Sequence, residues 1–383
     1  MSIAVYGGSF NPPHIGHRHV AKAVLKHLRP RRFLIIPAGE APHEIMAPGS
    51  PSAAERMEMC ALCFGDLGVE ISDMEIKREG KSYTVLTVRE LMEKNPGEEI
   101  ILVTGTDMFL SLETWCEAEF LLRNVHFCVV RRDAEKEAIR KAALQYAKKY
   151  QTRTTIIALK PVEAASSHIR GSLPLREGQD LLPEKVYEYI ISRRLYGSRP
   201  NWEWLRQQAY SMLKPKRIPH VKGCEEEAVR LAKRWGEDME DAAEAAILHD
   251  ITKRLNLREQ LILCEKYGII PDALEKQSEK LLHAKTGAEI ARERYGVSKK
   301  VYESIRWHTT GKADMSLLDK IIYMADYIEP TRDFEGLAQL RELAYTDLDS
   351  AMIMGFKMSL EDLARYGVPP HPHTLEALSS LGA

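Results

Sequence analysis

The chain has 383 residues, with 54 lysines and arginines against 55 aspartates and glutamates and a formal net charge of -1. A balance this close to neutral provides no overall field for nucleic acid or a membrane surface, so an anionic substrate has to be met by a local cluster. The length suits two domains. No charged start with an apolar core marks a secretion signal, and no run of ~18 apolar residues marks a membrane span, so the expectation is a cytoplasmic protein with neither nucleic acid nor membrane as partner.

The chain opens with the apolar run Ile3-Ala4-Val5-Tyr6, and Ile15 to Leu28 has helical spacing, with Val20, Val24, Leu25 and Leu28 on one side. Between them lies Gly7-Gly8-Ser9-Phe10-Asn11-Pro12-Pro13-His14-Ile15-Gly16-His17, a strand-to-helix turn. Its glycines let backbone approach a ligand, and the helix start presents N–H groups and partial positive charge to phosphate oxygens. His14 and His17 add imidazole donors at the same place. A glycine pair alone occurs in any tight turn; His-x-Gly-His at a helix start within this frame is far more specific.

This stretch resembles the Gly-x-Phe-x-Pro-x-His-x-Gly-His signature of the nucleotidyltransferase superfamily, and the first half of the chain is similar to bacterial nicotinate mononucleotide adenylyltransferases. The resemblance implies a Rossmann-like doubly wound parallel sheet. It also implies transfer of AMP from ATP to nicotinate mononucleotide, releasing pyrophosphate with Mg²⁺ as cofactor, and places Gly7, Gly8, Ser9 and Phe10 at the nucleotide beside the catalytic His14 and His17.

Later segments agree in order. Arg32 to Pro37 reads as a buried strand, followed by a Gly- and Pro-rich loop holding Ala41-Pro42-His43-Glu44, where the family commonly has Pro-Pro-His-Lys; His43 is kept as a substrate contact while Glu44 reverses a charge. Ser52 is placed to cap the next helix, which carries Cys60 and Cys63. With no second pair to complete a zinc site, these two read as small core residues. Ser82-Tyr83-Thr84 leads into an amphipathic helix through Leu86 and Leu91; Thr84 is either a nicotinate-side contact, as the resemblance implies, or part of a helix cap. Glu99 to Val103 is a buried strand ending in Thr104-Gly105-Thr106-Asp107. The resemblance carries nucleotide contacts onto Gly105 and Asp107, and a pyridine-stacking role onto Trp115, next to Cys116 where the family often has Tyr.

The strand Val125 to Arg132 ends in basic residues, among them Arg131, and a charged helix and the strand Thr154 to Leu159 complete the alternation. Ala165-Ser166-Ser167-His168-Ile169-Arg170 resembles the superfamily's second signature, with Ala165 in place of its first serine. It implies that Ser166 and Arg170 hold ATP phosphates. Strand-type runs stop near Tyr196 to Asn201, which sets the expected boundary between residues 1–198 and 199–383.

Beyond it the spacing is helical throughout. A His249-Asp250 pair interrupts the apolar run Ala242 to Ile251, where a buried charge needs a partner or a metal. His220, His283, His308 and Asp326 lie around it in sequence. Each alone is commonly a satisfied core or surface residue; together they form the series His, His-Asp, His, His, Asp. The series is similar to the all-α HD-domain metal phosphohydrolases, and the phrases around His283, His308 and Asp326 resemble the branch that splits diadenosine tetraphosphate symmetrically into two ADP. The resemblance implies one or two transition-metal ions on His220, His249, Asp250, His283, His308 and Asp326. Fe or Mn is expected ahead of Zn, with Asp250 catalytic and Lys253 and Arg306 neutralising phosphate. The expected partners are ATP, nicotinate mononucleotide and a dinucleoside polyphosphate. A nucleotide-sensing module, or a hydrolase for another nucleotide, remains the alternative for the second half, and assembly into a homo-oligomer is left open.

Overall fold

The computed structural model describes residues 1–40, 46–131, 136–160 and 162–382. The chain divides into two compact units, Met1–Arg199 and Pro200–Ala383.

In the first unit, β1 (Ser2–Gly8), β2 (Arg32–Pro37), β3 (Glu70–Ile71), β4 (Glu99–Gly105), β5 (His126–Arg131) and β6 (Arg153–Ala158) form a six-stranded sheet in the order β3-β2-β1-β4-β5-β6. All neighbours are parallel: Val5 of β1 pairs with Leu34 of β2 on one side and Leu102 of β4 on the other. Ile3, Val5, Leu34, Ile36, Leu102 and Phe127 are buried together, which explains why the central strands read as continuous apolar runs. The chain leaves β1 in one direction and rejoins beside it from the other at β4, so a crevice opens at the carboxyl ends of these two strands.

Some helices carry their start signals in the sequence. Ser52 caps Ala53–Phe64 with a reciprocal bond from Glu55, and Cys60 and Cys63 are fully buried on that helix; burial pushes the Cys63 thiol up to about 12. In Thr84–Lys94 the buried face is Val85, Val88 and Leu91, whereas Leu86 is 38% exposed. The spacing of three from Val85 defines the inner stripe, and Leu86, one residue on, is turned away from it. On Ile15–Leu28 the buried residues are Ala21, Ala23 and Val24, so the inner face is built of smaller side chains than the valine and leucine spacing suggests.

The second unit is helical, with no strand among its described residues. Ile218–Trp235 packs against Met239–Leu248 and Leu317–Ile328, and Lys299–Trp307 packs on Glu279–Tyr295, Met239–Leu248 and Leu317–Ile328. Ala242, Ala245 and Ala246 are fully buried, and their small side chains let the neighbouring helices approach closely enough for side chains from five helices to meet near Asp250. No helix among the described residues is long and apolar enough to cross a membrane.

Candidate active sites

In the first unit the loop between β1 and Ile15–Leu28 is tied down from four directions. The Arg56 guanidinium donates to Ser9 O at 2.8 Å and Ala38 O at 2.7 Å, Arg170 Nη1 to Asn11 O at 2.6 Å, Ser166 Oγ to Pro12 O at 3.0 Å, and Tyr196 Oη to Asn11 Oδ1 at 2.8 Å. Phe10, 1% exposed at φ 45°, wedges its ring between Tyr6, His17 and Phe64.

The helix start fixes the two histidines. His14 Nδ1 accepts from Gly16 N at 3.1 Å, and His17 Nδ1 accepts from the backbone N–H of His14 at 3.3 Å. A nitrogen that accepts carries no proton, so in both rings the proton sits on Nε2, which becomes the donor. The rings lie 3.8 Å apart, centroid to centroid. Burial, reinforced by His14, pushes the His17 pKa down to about 3, so His17 is neutral throughout the physiological range. At Gly16 an added Cβ would lie 3.0 Å from the His14 ring, so a side chain there would push that ring out of its cap position.

Two cavities of about 460 Å³ each lie at the carboxyl ends of β1 and β4. One is lined by His14, His17, Gly105, Asp107, Arg131 and Ser166; the other by Gly7, Gly8, Ser9, Phe10, His17, Thr84, Gly105 and Trp115. His17 and Gly105 belong to both. Arg170 lines neither, and its described bond is to the loop. His43 lies outside the described residues. Ser82 does not cap the Thr84–Lys94 helix, whose start has no side-chain cap; its Oγ accepts from Gly39 N at 3.0 Å.

In the second unit the histidines are held the opposite way. His249 Nδ1 lies 2.7 Å from Ala246 O, His283 Nδ1 2.7 Å from Lys280 O, and His308 Nδ1 2.7 Å from Ile305 O, while His220 Nδ1 is 3.0 Å from Glu329 Oε1. A carbonyl or carboxylate only accepts, so each Nδ1 carries the proton and each Nε2 of a neutral ring offers its lone pair. Those Nε2 atoms converge. His283 Nε2 is 3.0 Å from His308 Nε2 and 3.1 Å from Asp250 Oδ1; His249 Nε2 is 3.5 Å from Asp250 Oδ2, and His220 Nε2 is 3.0 Å from Asp326 Oδ1. Burial and the neighbouring rings hold His308 well below its ordinary value. At His249 the lowering by burial is outweighed by Asp250, and the value rises.

Asp250 is fully buried, and its Oδ1 and the Nε2 of His249 make no hydrogen bond among the described residues. Two buried lone-pair nitrogens face to face and an orphaned carboxylate oxygen form an arrangement that a divalent cation satisfies. The six expected ligands therefore come together, and imidazole and carboxylate donors fit a transition metal. Cations also reach the cluster: Arg217 Nε is 2.5 Å from Asp250 Oδ2, Arg332 Nη2 2.8 Å from Asp326 Oδ1, and Lys253 Nζ 3.0 Å from His283 Nε2. Arg306 instead donates to Tyr302 Oη at 3.1 Å and lies over Trp307.

The sequence reading missed Arg217, Cys224, Glu329 and Arg332. Cys224 was within reach, since four residues after His220 is the same helix face. Glu329 was not, because its role depends on Gly223, where an added Cβ would stand 2.5 Å from Glu329 Oε2.

A family model described as Cytidylyltransferase-like matches residues 5–170, and the HD domain model matches residues 217–331. The chain is 34% identical over 200 residues to a protein of Symbiobacterium thermophilum named "Probable nicotinate-nucleotide adenylyltransferase", covering 51% of this chain and 94% of that one. It is 39% identical over 181 residues to the symmetrical bis(5'-nucleosyl)-tetraphosphatase of Halalkalibacterium halodurans, covering 46% of this chain and 96% of that one. The chain belongs to both enzyme families. A crystal structure of a predicted HD superfamily hydrolase from Clostridium acetobutylicum is 34% identical over 48% of this chain and 98% of its own, with a TM-score of 0.47. The two family matches join a nucleotidyltransferase unit to an HD unit, a domain that binds divalent metal, in one enzyme.

Two predictions follow from how the rings are held. The His17 pKa lies below its unfolded value of about 6.5, so between that pH and about 3 the unfolded chain takes up a proton that the native ring refuses. The stability of the transferase unit is therefore fully present above pH ~6.5 and falls as the pH drops through this window. The thermal midpoint should fall more steeply with acid in the parent than in His17→Gln, and equal slopes would show that His17 is not held neutral. Glu329→Gln, which weakens the grip on His220 Nδ1, should lower the affinity for Mn²⁺ about 10–100-fold by calorimetry; an unchanged affinity would place Glu329 outside the metal's support.

Proposed function

We propose that the Met1–Arg199 unit transfers AMP from ATP to nicotinate mononucleotide, giving nicotinate adenine dinucleotide and pyrophosphate, and that the Pro200–Ala383 unit hydrolyses diadenosine tetraphosphate to two ADP. The observation that carries the first half is the pair of cavities that share His17 and Gly105. One has the cation Arg131, the helix start and both histidines, which suits a triphosphate. The other has the Trp115 ring and the backbone of Gly7 and Gly8, which suits a flat pyridine nucleotide.

The attacking phosphate of nicotinate mononucleotide is already anionic, so no general base is required. Catalysis is positioning and stabilisation of charge at the α-phosphate. Neutral rings that line the cavities and carry their protons on Nε2 supply donors at fixed places, with no proton transfer needed. Ser166 and Arg170 keep the loop in register through Pro12 O and Asn11 O, in addition to any phosphate contact. Asp107 is the carboxylate on that wall and would face a Mg²⁺ ion carried by the ATP phosphates.

For the second half, His220, His249, Asp250, His283, His308 and Asp326 would hold the transition metal. A bound ion of this class supplies Lewis acidity at a phosphoryl oxygen and a water acidic enough to attack near neutral pH. Asp250 presents Oδ2 toward His220 and His249, and Oδ1 toward His283 and His308, so one carboxylate serves two donor groups. Arg217, Lys253 and Arg332, whose cationic groups touch Asp250, His283 and Asp326, join Arg306 as the cations that neutralise the polyphosphate.

Two variants assayed on both substrates separate the halves. His17→Ala should lower turnover of adenylyl transfer about 10²–10³-fold, with ATP affinity nearly unchanged and tetraphosphate hydrolysis intact. Asp250→Ala, or chelation of the parent, should abolish hydrolysis and leave adenylyl transfer intact. Transfer at the parent rate in His17→Ala would refute the first assignment. ATP and AMP as products, or hydrolysis surviving both Asp250→Ala and chelation, would refute the second; a tight complex with diadenosine tetraphosphate and no turnover would favour the sensing module.

A further inference from the structure

Of the two buried thiols of the second unit, Cys224 and Cys264, Cys224 lies beside the cluster of histidines and carboxylates, and the mechanism above leaves it unused. It sits one turn after His220 on Ile218–Trp235, is 1% exposed, and is a free thiol. A cysteine kept only as a small packing residue would turn its sulfur to apolar neighbours. Here Sγ lies 3.3 Å from Nε2 and 4.0 Å from Nδ1 of the His220 ring, so the sulfur sits beside the nitrogen whose lone pair points into the cluster. One donor atom each from His220, Cys224, His249 and Asp326 lie within 4.8 Å of one another. Donors around a single tetrahedral ion, with sulfur at about 2.3 Å and nitrogen or oxygen at about 2.0–2.2 Å, stand about 3.3–3.7 Å apart, so side-chain rotations that draw the four in by about 1 Å bring them onto one centre.

We propose that Cys224 is a sulfur ligand of the metal position on the His220 side, and that it shifts this site's preference toward thiophilic divalent ions such as Zn²⁺ and Co²⁺ over Mn²⁺. The proposal rests on the reading of the Asp250 cluster as a metal site. The six residues named from the sequence offer only nitrogen and oxygen, which suit iron and manganese; one thiolate in a set of four moves the balance toward zinc and cobalt. Coordination forms one sulfur–metal bond and breaks the S–H bond, and the proton leaves to solvent. A site of this kind binds its ion more tightly at higher pH and is exposed to oxidation at sulfur when the ion is absent.

The test uses the full chain, freed of metal and titrated with Co²⁺. The expected result is sulfur-to-cobalt charge-transfer absorption in the near ultraviolet that rises with the first equivalent bound. Cys224→Ser and Cys224→Ala, checked for unchanged helical circular dichroism, should still bind cobalt and show its visible bands but lose that absorption. Their preference for Zn²⁺ over Mn²⁺, from competition titrations, should fall at least about tenfold. Cobalt bound to the parent with visible bands alone, and the same metal preference in parent and variants, would overturn sulfur ligation while leaving the metal site standing. A parent that binds no cobalt would overturn the metal-site reading and this proposal with it.

Discussion

A histidine ring gripped by one nitrogen presents the other, and both units of this enzyme depend on which nitrogen is gripped. At the helix start of the first unit Nδ1 accepts from backbone N–H groups, so Nε2 carries the proton and can only donate. In the second unit Nδ1 donates to a backbone carbonyl or to Glu329, so Nε2 of a neutral ring can only accept or bind a cation. One residue type thus does phosphate chemistry in one unit and metal chemistry in the other, and the choice is made by backbone geometry. A cap forces the first tautomer. The second is set by carbonyls three residues back on the same helix, two of the histidines standing at the helix ends themselves.

The sheet performs the equivalent selection for the substrate of the first unit. Because β1 and β4 are neighbours at the point where the strand order turns, their carboxyl ends leave a crevice, and the loop after β1 divides it into two lobes. The division is rigid. Arg56, Ser166, Arg170 and Tyr196 each spend a hydrogen bond on the loop, and Phe10 fills the space beneath it. Rigidity at this loop is what positioning catalysis requires, since misplacement by ~1 Å of a phosphate donor costs on the order of a hundredfold in rate.

Much of this was legible in the sequence because local pattern encodes it. The apolar runs at Ile3 to Tyr6, Arg32 to Pro37 and Glu99 to Val103 gave the central strands, His-x-Gly-His gave the helix start, and a His-Asp pair inside an alanine-rich apolar helix marked the metal cluster. The misses are also physical. The apolar spacing through Leu86 and Leu91 marks an amphipathic helix without telling which stripe meets the sheet, and the buried stripe runs through Val85, Val88 and Leu91. Arg170 reads as a phosphate ligand from its signature, while the fold also makes it a tie to Asn11, a contact spanning most of the first unit that no local window contains. Arg217 reaches Asp250 because Ile218–Trp235 packs on Met239–Leu248, and Arg332 reaches Asp326 because the chain turns back just after Leu317–Ile328. Glu329 acts on His220 through a gap that exists because residue 223 is glycine.

The fusion of a nucleotidyltransferase unit with an HD unit has a chemical logic, since adenylyl transfer to a polyphosphate acceptor yields dinucleoside polyphosphates, the compounds the second unit is proposed to remove. That logic requires each unit to hold its histidines in the right tautomer, and this can be observed directly. Long-range proton–nitrogen spectra of the metal-free, histidine-labelled chain, assigned by single substitutions, should show His17 protonated at Nε2 and His308 protonated at Nδ1. The opposite assignment at either residue would contradict the account, because it would leave a lone pair facing the phosphates in one unit or a proton facing the metal in the other.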